Sequence, residues 1–126
     1  MSVLVDTSVW IEYFRGGECS EKLDFLIEEN LILTNDIILT ELIPFLKLKK
    51  QNRVIKLLKN IRKLGLQIDW DEIIDIQYKC LKSGINGIGI PDLIIAQNVL
   101  QNGCKLFTLD KHFQLIQKII NFQLFS

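Results

Sequence analysis

The strongest constraint on the fold is a repeated handover from a short apolar run to a helical pattern, each time through a polar residue. Val3-Leu4-Val5 runs into Asp6, Leu31–Leu33 into Asn35 and Asp36, Leu66-Gln67-Ile68 into Asp69, and Lys105–Thr108 into Asp110. Side chains alternate between the two faces of a strand, so a strand with no polar alternation has no solvent-facing side. Such strands belong in a sheet covered by helices on both faces, and strand–helix alternation makes that sheet mainly parallel. The segment Asn121–Phe125 reads as a last strand at the sheet edge. With 126 residues, 48% of them hydrophobic, the chain suits one α/β domain with one core, spanning 1–126.

The helices follow from periodicity and punctuation. Asp6, Thr7 or Ser8 caps a helix begun by Val9, Trp10 and Tyr13, which Arg15-Gly16-Gly17 breaks. Ser20 starts a second, with Leu23, Leu26 and Ile27 on one face. Asn35 or Asp36 caps a third carrying Ile38, Leu42 and Phe45, and Pro44 is expected to kink it. Lys47 to Lys63 reads as one long polar helix. Asp69 or Asp71 opens a helix whose Ile73, Ile76, Cys80 and Leu81 face inward. It ends at Gly84, and Gly84 to Gly89 form a loop. Pro91 at the first helical position and Gly103 just past the end bracket another helix. A short one with Phe113 and Ile116 follows Asp110.

Charge excludes one class of function. Lys plus Arg number 15 and Asp plus Glu number 15, so the chain does not coat nucleic acid by bulk charge. Cys19, Cys80 and Cys104 match neither a zinc pair nor a CxxC motif and read as reduced thiols. The N-terminus lacks a signal-peptide pattern, and no apolar stretch reaches the roughly 18 residues of a membrane helix. These features lead to the expectation of a soluble, cytoplasmic protein.

The informative acids lie where strands hand over to helices. In an open parallel sheet, ligands bind outside the carboxyl ends of the strands. Asp6 and Asp110 directly follow apolar strands. Asp92 lies in the first turn of its helix, and Glu41 one to two turns into the helix after the second strand. Helices that follow parallel strands begin at the same sheet edge, so Asp6, Glu41, Asp92 and Asp110 can converge there. Convergent carboxylates repel, and a hard divalent cation such as Mg²⁺ or Mn²⁺ resolves the repulsion. A metal so held supports phosphodiester hydrolysis. Each acid alone also has an ordinary reading. Asp6 serves as a helix cap, Asp92 as a first-turn acid, Glu41 as an exposed helical acid, and Asp110 as a turn residue.

The pattern of blocks resembles the PIN-domain family, and more narrowly the VapC toxins of bacterial toxin–antitoxin pairs. The matching blocks are Val3-Leu4-Val5-Asp6-Thr7-Ser8-Val9-Trp10-Ile11, Thr40-Glu41-Leu42, Pro91-Asp92-Leu93-Ile94-Ile95-Ala96 and Leu106-Phe107-Thr108-Leu109-Asp110-Lys111-His112-Phe113. They occur in the family's order and span nearly the whole chain. The resemblance implies a three-layer α/β/α sandwich with a mainly parallel central sheet. It implies Mg²⁺- or Mn²⁺-dependent cleavage of RNA, with Asp6, Glu41 and Asp92 as the core metal-holding and catalytic acids. Asp110 would be the fourth, direct or through water, and Ser8 and Thr108 match polar positions that support the site. Homodimers and inhibition by a small antitoxin are also implied. Asn86 to Pro91 is less polar than in many relatives, and Gln97-Asn98 replaces small residues, which bears on substrate preference rather than on the acids.

Lys47–Lys63 holds eight basic residues and no acid. Lys49, Arg53, Lys56 and Lys63 fall near one face of the expected helix, which offers RNA a phosphate-binding surface or is simply solvated. His112 is the sole histidine. It reads as a surface helix residue, with assistance to a leaving group as the alternative. Trp10, Tyr13 and Phe14 suggest core or dimer contact more than base stacking. Gly84, Gly87 and Gly89 lack the Walker and Rossmann spacings. Two other functions compete: a PIN-like module that binds without cleaving, and a receiver-type signalling domain, which the lone Asp6 fits poorly. A DxDxT phosphatase is excluded by Thr7-Ser8-Val9.

Overall fold

A computed structural model describes residues 1–126. Strand β1 (Val3–Val5) sits inside a four-stranded sheet ordered β2-β1-β3-β4, with β2 spanning Ile32–Leu33, β3 Lys105–Phe107 and β4 Gln123–Leu124. Every pairing is parallel. Val3, Leu4 and Val5 point alternately to opposite faces, yet all are fully buried, so helices cover both sides of the sheet. The chain moves from β1 out to β2, then reverses past β1 to β3 and β4. Right-handed crossovers place the helices of those two directions on opposite faces, which is the expected three-layer arrangement. The reversal between β1 and β3 is the point at which such sheets bind ligands.

Helix α1 (Thr7–Phe14) follows β1 at once, and α2 (Ser20–Glu28) leads to β2. Trp10 is buried, stacks on Phe14 with centroids 5.9 Å apart and meets Tyr13 edge-on at 6.1 Å. Tyr13 donates to Asp24 of α2 at 2.6 Å, so this aromatic cluster fastens α1 to α2. On α2, Leu23 and Leu26 are buried, but Ile27 is exposed, contrary to the expected face. Helix α3 (Asp36–Leu48) is capped by Asn35, whose side chain accepts from the Ile38 amide, and it runs on for a full turn past Pro44.

Two expected elements also fail. The long basic helix is two pieces. It stops at Lys49-Lys50-Gln51, where Lys50 adopts a left-handed φ of 56°, and resumes as α4 (Asn52–Lys59). The polar periodicity continues across the break because both halves bury an apolar side, Leu42 and Leu46 on α3 and Ile55 and Leu58 on α4. Folding back as a hairpin lets both sides reach one core. The expected strand at Leu66–Ile68 does not form. Only a single parallel bridge, Thr34 to Lys63, forms at the sheet edge, and it lies just before this stretch. Its backbone is satisfied by amides of α6 (Ile90–Asn102) instead, with Asn98 donating to the Gly65 carbonyl at 3.0 Å and Gln101 to that of Gln67 at 2.9 Å.

Helix α5 (Trp70–Lys82) is capped by Asp69, which accepts from the Glu72 amide, and buries Ile73, Ile76 and Cys80 while Leu81 is exposed. Pro91 and Gly103 bracket α6 as expected, Gly103 taking the left-handed φ of 60° that ends the helix. A short α7 (His112–Ile116) anchors itself through fully buried Phe113 and Ile116. Cys19, Cys80 and Cys104 are buried and unpaired. No helix is long and apolar enough to cross a membrane.

Candidate metal centre

Register builds the centre of the site. Val5 pairs with Phe107, and the Asp6 amide donates to the Phe107 carbonyl at 2.9 Å, so Asp6 and Thr108 leave the sheet side by side. Asp6 is 5% exposed and caps nothing with its side chain. Instead its Oδ2 accepts from Ser8 Oγ and from Thr108 Oγ1, both at 2.8 Å. The Ser8 and Thr108 oxygens are themselves 3.4 Å apart. Ser8 Oγ also accepts from the Leu109 amide at 3.0 Å, and Thr108 Oγ1 from the Asp110 amide at 3.0 Å. The two hydroxyls thus tie α1 to the loop after β3. With both donors on Oδ2, no protein donor is directed at Oδ1.

Three further acids come from other segments. Thr7 Oγ1 donates to Glu41 Oε1 at 3.1 Å, which joins the start of α1 to the middle of α3. Glu41 is exposed as a residue, yet burial of its carboxyl group raises its pKa, as do the charges of Asp6, Asp92 and Asp110. The Thr7 bond works the other way. Asp92, in the first turn of α6, is likewise held above the ordinary carboxylate range, first by burial and then by the charges of Asp110 and Asp6, with His112 opposing. Glu41 and Asp92 therefore feel acids that come from separate segments. Asp110 also keeps its turn role, because its Oδ1 accepts from the His112 amide at 2.9 Å.

His112 does not behave as a plain surface residue. Its Nδ1 lies 3.5 Å from Asp92 Oδ2 and 3.5 Å from Asp110 Oδ1. One donor atom from each of Asp92, Asp110 and His112 falls within 4.8 Å of the others. The spacing of two residues from Asp110 is the only sequence signal for this, and it becomes meaningful once α7 is known to start there. Thr7, the partner of Glu41, was equally illegible beyond its adjacency to Asp6.

The basic residues are brought together only in part. Arg53 and Lys56 share the exposed side of α4, whereas Lys49 caps the end of α3 and Lys63 lies beyond α4, paired with Asp36 at 3.1 Å. The single continuous basic face does not exist.

A clustered set of donors with two carboxyls pushed up first by burial and then by neighbouring acids suits a hard divalent cation, which neutralises them together. The sequence places the fold in a family independently. A family model described as the PIN domain matches residues 3–119.

The chain belongs to the PIN-domain family.

No curated protein matches the sequence of this PIN domain. Solved structures do match its fold. A chain of the VapBC2 complex of Rickettsia felis, solved bound to a DNA fragment from their promoter, superposes with a TM-score of 0.76 at 20% identity, covering 99% of this chain and 98% of that one. A chain of VapBC-1 from nontypeable Haemophilus influenzae gives 0.73 at 23% identity, with coverage of 100% and 98%. VapC20 of Mycobacterium tuberculosis, described as a sarcin–ricin loop cleaving toxin, gives 0.58 at 14%, with coverage of 90% and 93%. At such identities the likeness shows the shared fold. Membership of the PIN family leaves no room for the receiver-type alternative.

Proposed function

We propose that this PIN domain is a divalent-metal-dependent endoribonuclease and the toxin of a toxin–antitoxin pair. One observation carries the reading: a carboxylate oxygen of Asp92, one of Asp110 and a ring nitrogen of His112 lie within 4.8 Å of one another, while Glu41 and Asp92, raised first by burial, are raised further by the charges of Asp6 and Asp110. Such a cluster costs stability unless a cation compensates it. The four acids would hold Mg²⁺ or Mn²⁺. When bound, such an ion polarises a phosphoryl oxygen and makes a water nucleophilic at neutral pH.

The chain's own residues do the rest. Ser8 and Thr108 hold Asp6 by Oδ2 and leave Oδ1 free to bind. Thr7 sets the Glu41 carboxylate against the same site. Lys49, Arg53 and Lys56 give the otherwise neutral chain local positive charge for the RNA backbone, on the hairpin that begins with the Glu41 helix.

The fold shared with chains of VapBC complexes supports an antitoxin as partner. A homodimer is supported by α5, where Trp70, Ile74, Tyr78 and Leu81 form one stripe, each more than half exposed. Asp71 and Asp75 flank its first half, and Lys79 and Lys82 its second. Antiparallel pairing about a two-fold axis therefore sets acids against lysines. Residues 1–126 act as a single nuclease domain, and the reduced, buried cysteines fit the cytoplasm.

The test is to incubate the purified chain with total RNA under Mg²⁺, Mn²⁺ or EDTA, beside an Asp6→Asn variant. Cleavage that needs both the metal and Asp6 is the expected result. A chain whose melting temperature ignores metal and which cleaves nothing would be a binding module instead.

A further inference from the structure

We propose that His112 supplies a nitrogen donor to the metal site and so biases it toward a transition-metal dication, such as Mn²⁺, over Mg²⁺. The inference rests on the metal-dependent reading and sharpens it.

The geometry is that of a ligand set short of its ion. Donor atoms around a six-coordinate ion with bonds near 2.1 Å lie roughly 3 Å apart when adjacent and roughly 4 Å apart when opposite. His112 Nδ1 is 3.5 Å from a carboxylate oxygen of Asp92 and 3.5 Å from one of Asp110, and all three atoms lie within 4.8 Å of each other. Closing on an ion needs shifts of about half an ångström, within side-chain reach.

The placement is fixed by backbone and core rather than by a mobile stem. The His112 amide donates to Asp110 Oδ1 at 2.9 Å, and the next residue, Phe113, is fully buried. The ring is therefore carried to the rim of the site by the same turn that presents Asp110. Its side chain is 43% exposed.

The chemistry decides what the nitrogen is for. A neutral imidazole has one N–H, and a single N–H shared between two carboxylates 3.5 Å away satisfies neither well. The same nitrogen in its other tautomer offers a lone pair to an ion bound by those carboxylates. Imidazole is a good ligand for first-row transition metals, whereas Mg²⁺ keeps oxygen ligands and water. An otherwise all-oxygen site gains selectivity from one such donor. Asp6, Glu41, Asp92 and Asp110 determine that a dication binds, and His112 determines which.

The test uses the full chain and His112→Asn, with His112→Gln as a second variant, titrated with Mn²⁺ alone and Mg²⁺ alone. Affinities come from metal-dependent melting and from loss of the free Mn²⁺ EPR signal, and pulsed EPR on bound Mn²⁺ reads nitrogen coupling directly. The expected result is ¹⁴N coupling in the wild type that both variants lack, with Mn²⁺ affinity falling about tenfold and Mg²⁺ affinity nearly unchanged. A wild-type site without nitrogen coupling, or an equal loss for both metals, overturns the role of His112 and leaves the acids in place. Failure of the wild type to bind either ion overturns the metal centre itself.

Discussion

Replacing Asp92 by Asn should make the metal-free protein more stable while removing its response to metal. The donor oxygens of Asp92 and Asp110 lie within 4.8 Å, where two unit charges repel by about 3.5 kcal/mol at an effective dielectric of 20 and about 0.9 kcal/mol in bulk water. Asp92 is mostly covered and Asp110 about a third exposed, so the true value falls between these limits. Against it stands the contact with His112 at 3.5 Å, which Asn keeps only as a neutral acceptor, a loss of up to about 1 kcal/mol. The net gain is about 1–2 kcal/mol, or roughly 3–7 °C in melting temperature for a chain of this size. Differential scanning fluorimetry in EDTA measures it, and added Mn²⁺ should reverse the order by stabilising only the wild type. The pH dependence follows from sign. Because the folded pKa of Asp92 lies above its ordinary value of 3.8, the folded state binds a proton more readily than the unfolded one. The wild type therefore loses stability as pH rises from that ordinary value through the raised one, and its deficit against the variant is complete above the raised value. A variant less stable than the wild type in EDTA at neutral pH would refute the claim that these carboxylates strain one another.

Three further outcomes follow from the same geometry. Thr108→Val removes a hydroxyl that donates to Asp6 and accepts from the Asp110 amide, and should cost about 1–3 kcal/mol in denaturant unfolding and about 10–100-fold in RNA cleavage, with Thr108→Ser restoring most of both. Charge reversal at Arg53 and Lys56 should leave the fold intact and flatten the salt dependence of RNA affinity by about two phosphate contacts, and an unchanged slope would exclude α4 from the interface. Ile74→Arg on the exposed stripe of α5 should convert a dimer to a monomer in sedimentation without lowering the melting temperature of the monomer. A dimer that survives it places the interface elsewhere.

Local chemistry made much of the fold legible. Val3-Leu4-Val5 is apolar at every position and is buried at every position, because a strand covered on both faces has no polar side to display. Asn35, Asp69, Pro91 and Gly103 mark helix ends through their own hydrogen bonds or backbone angles, so they needed no knowledge of neighbours. Leu66–Ile68 looked like a strand for the same reason and is not one. Its apolar residues pack on the core, but its backbone partners are the side chains of Asn98 and Gln101, and a strand is defined by its partner as much as by its own composition. The basic run from Lys47 to Lys63 was misread because periodicity persists through a turn when both flanking helices bury the same core.

By itself, then, the sequence determined that acids would stand at the carboxyl ends of parallel strands, since that follows from where apolar runs stop and helices start. It could not determine what those acids touch. The clamp of Ser8 and Thr108 on Asp6 joins residues a hundred positions apart through the β1–β3 register. The Thr7–Glu41 bond depends on how α1 crosses α3. His112 reaches Asp92 only because α6 and α7 begin at the same edge. These contacts are set by register and helix packing, which are properties of pairs of elements, and no single stretch of residues encodes them.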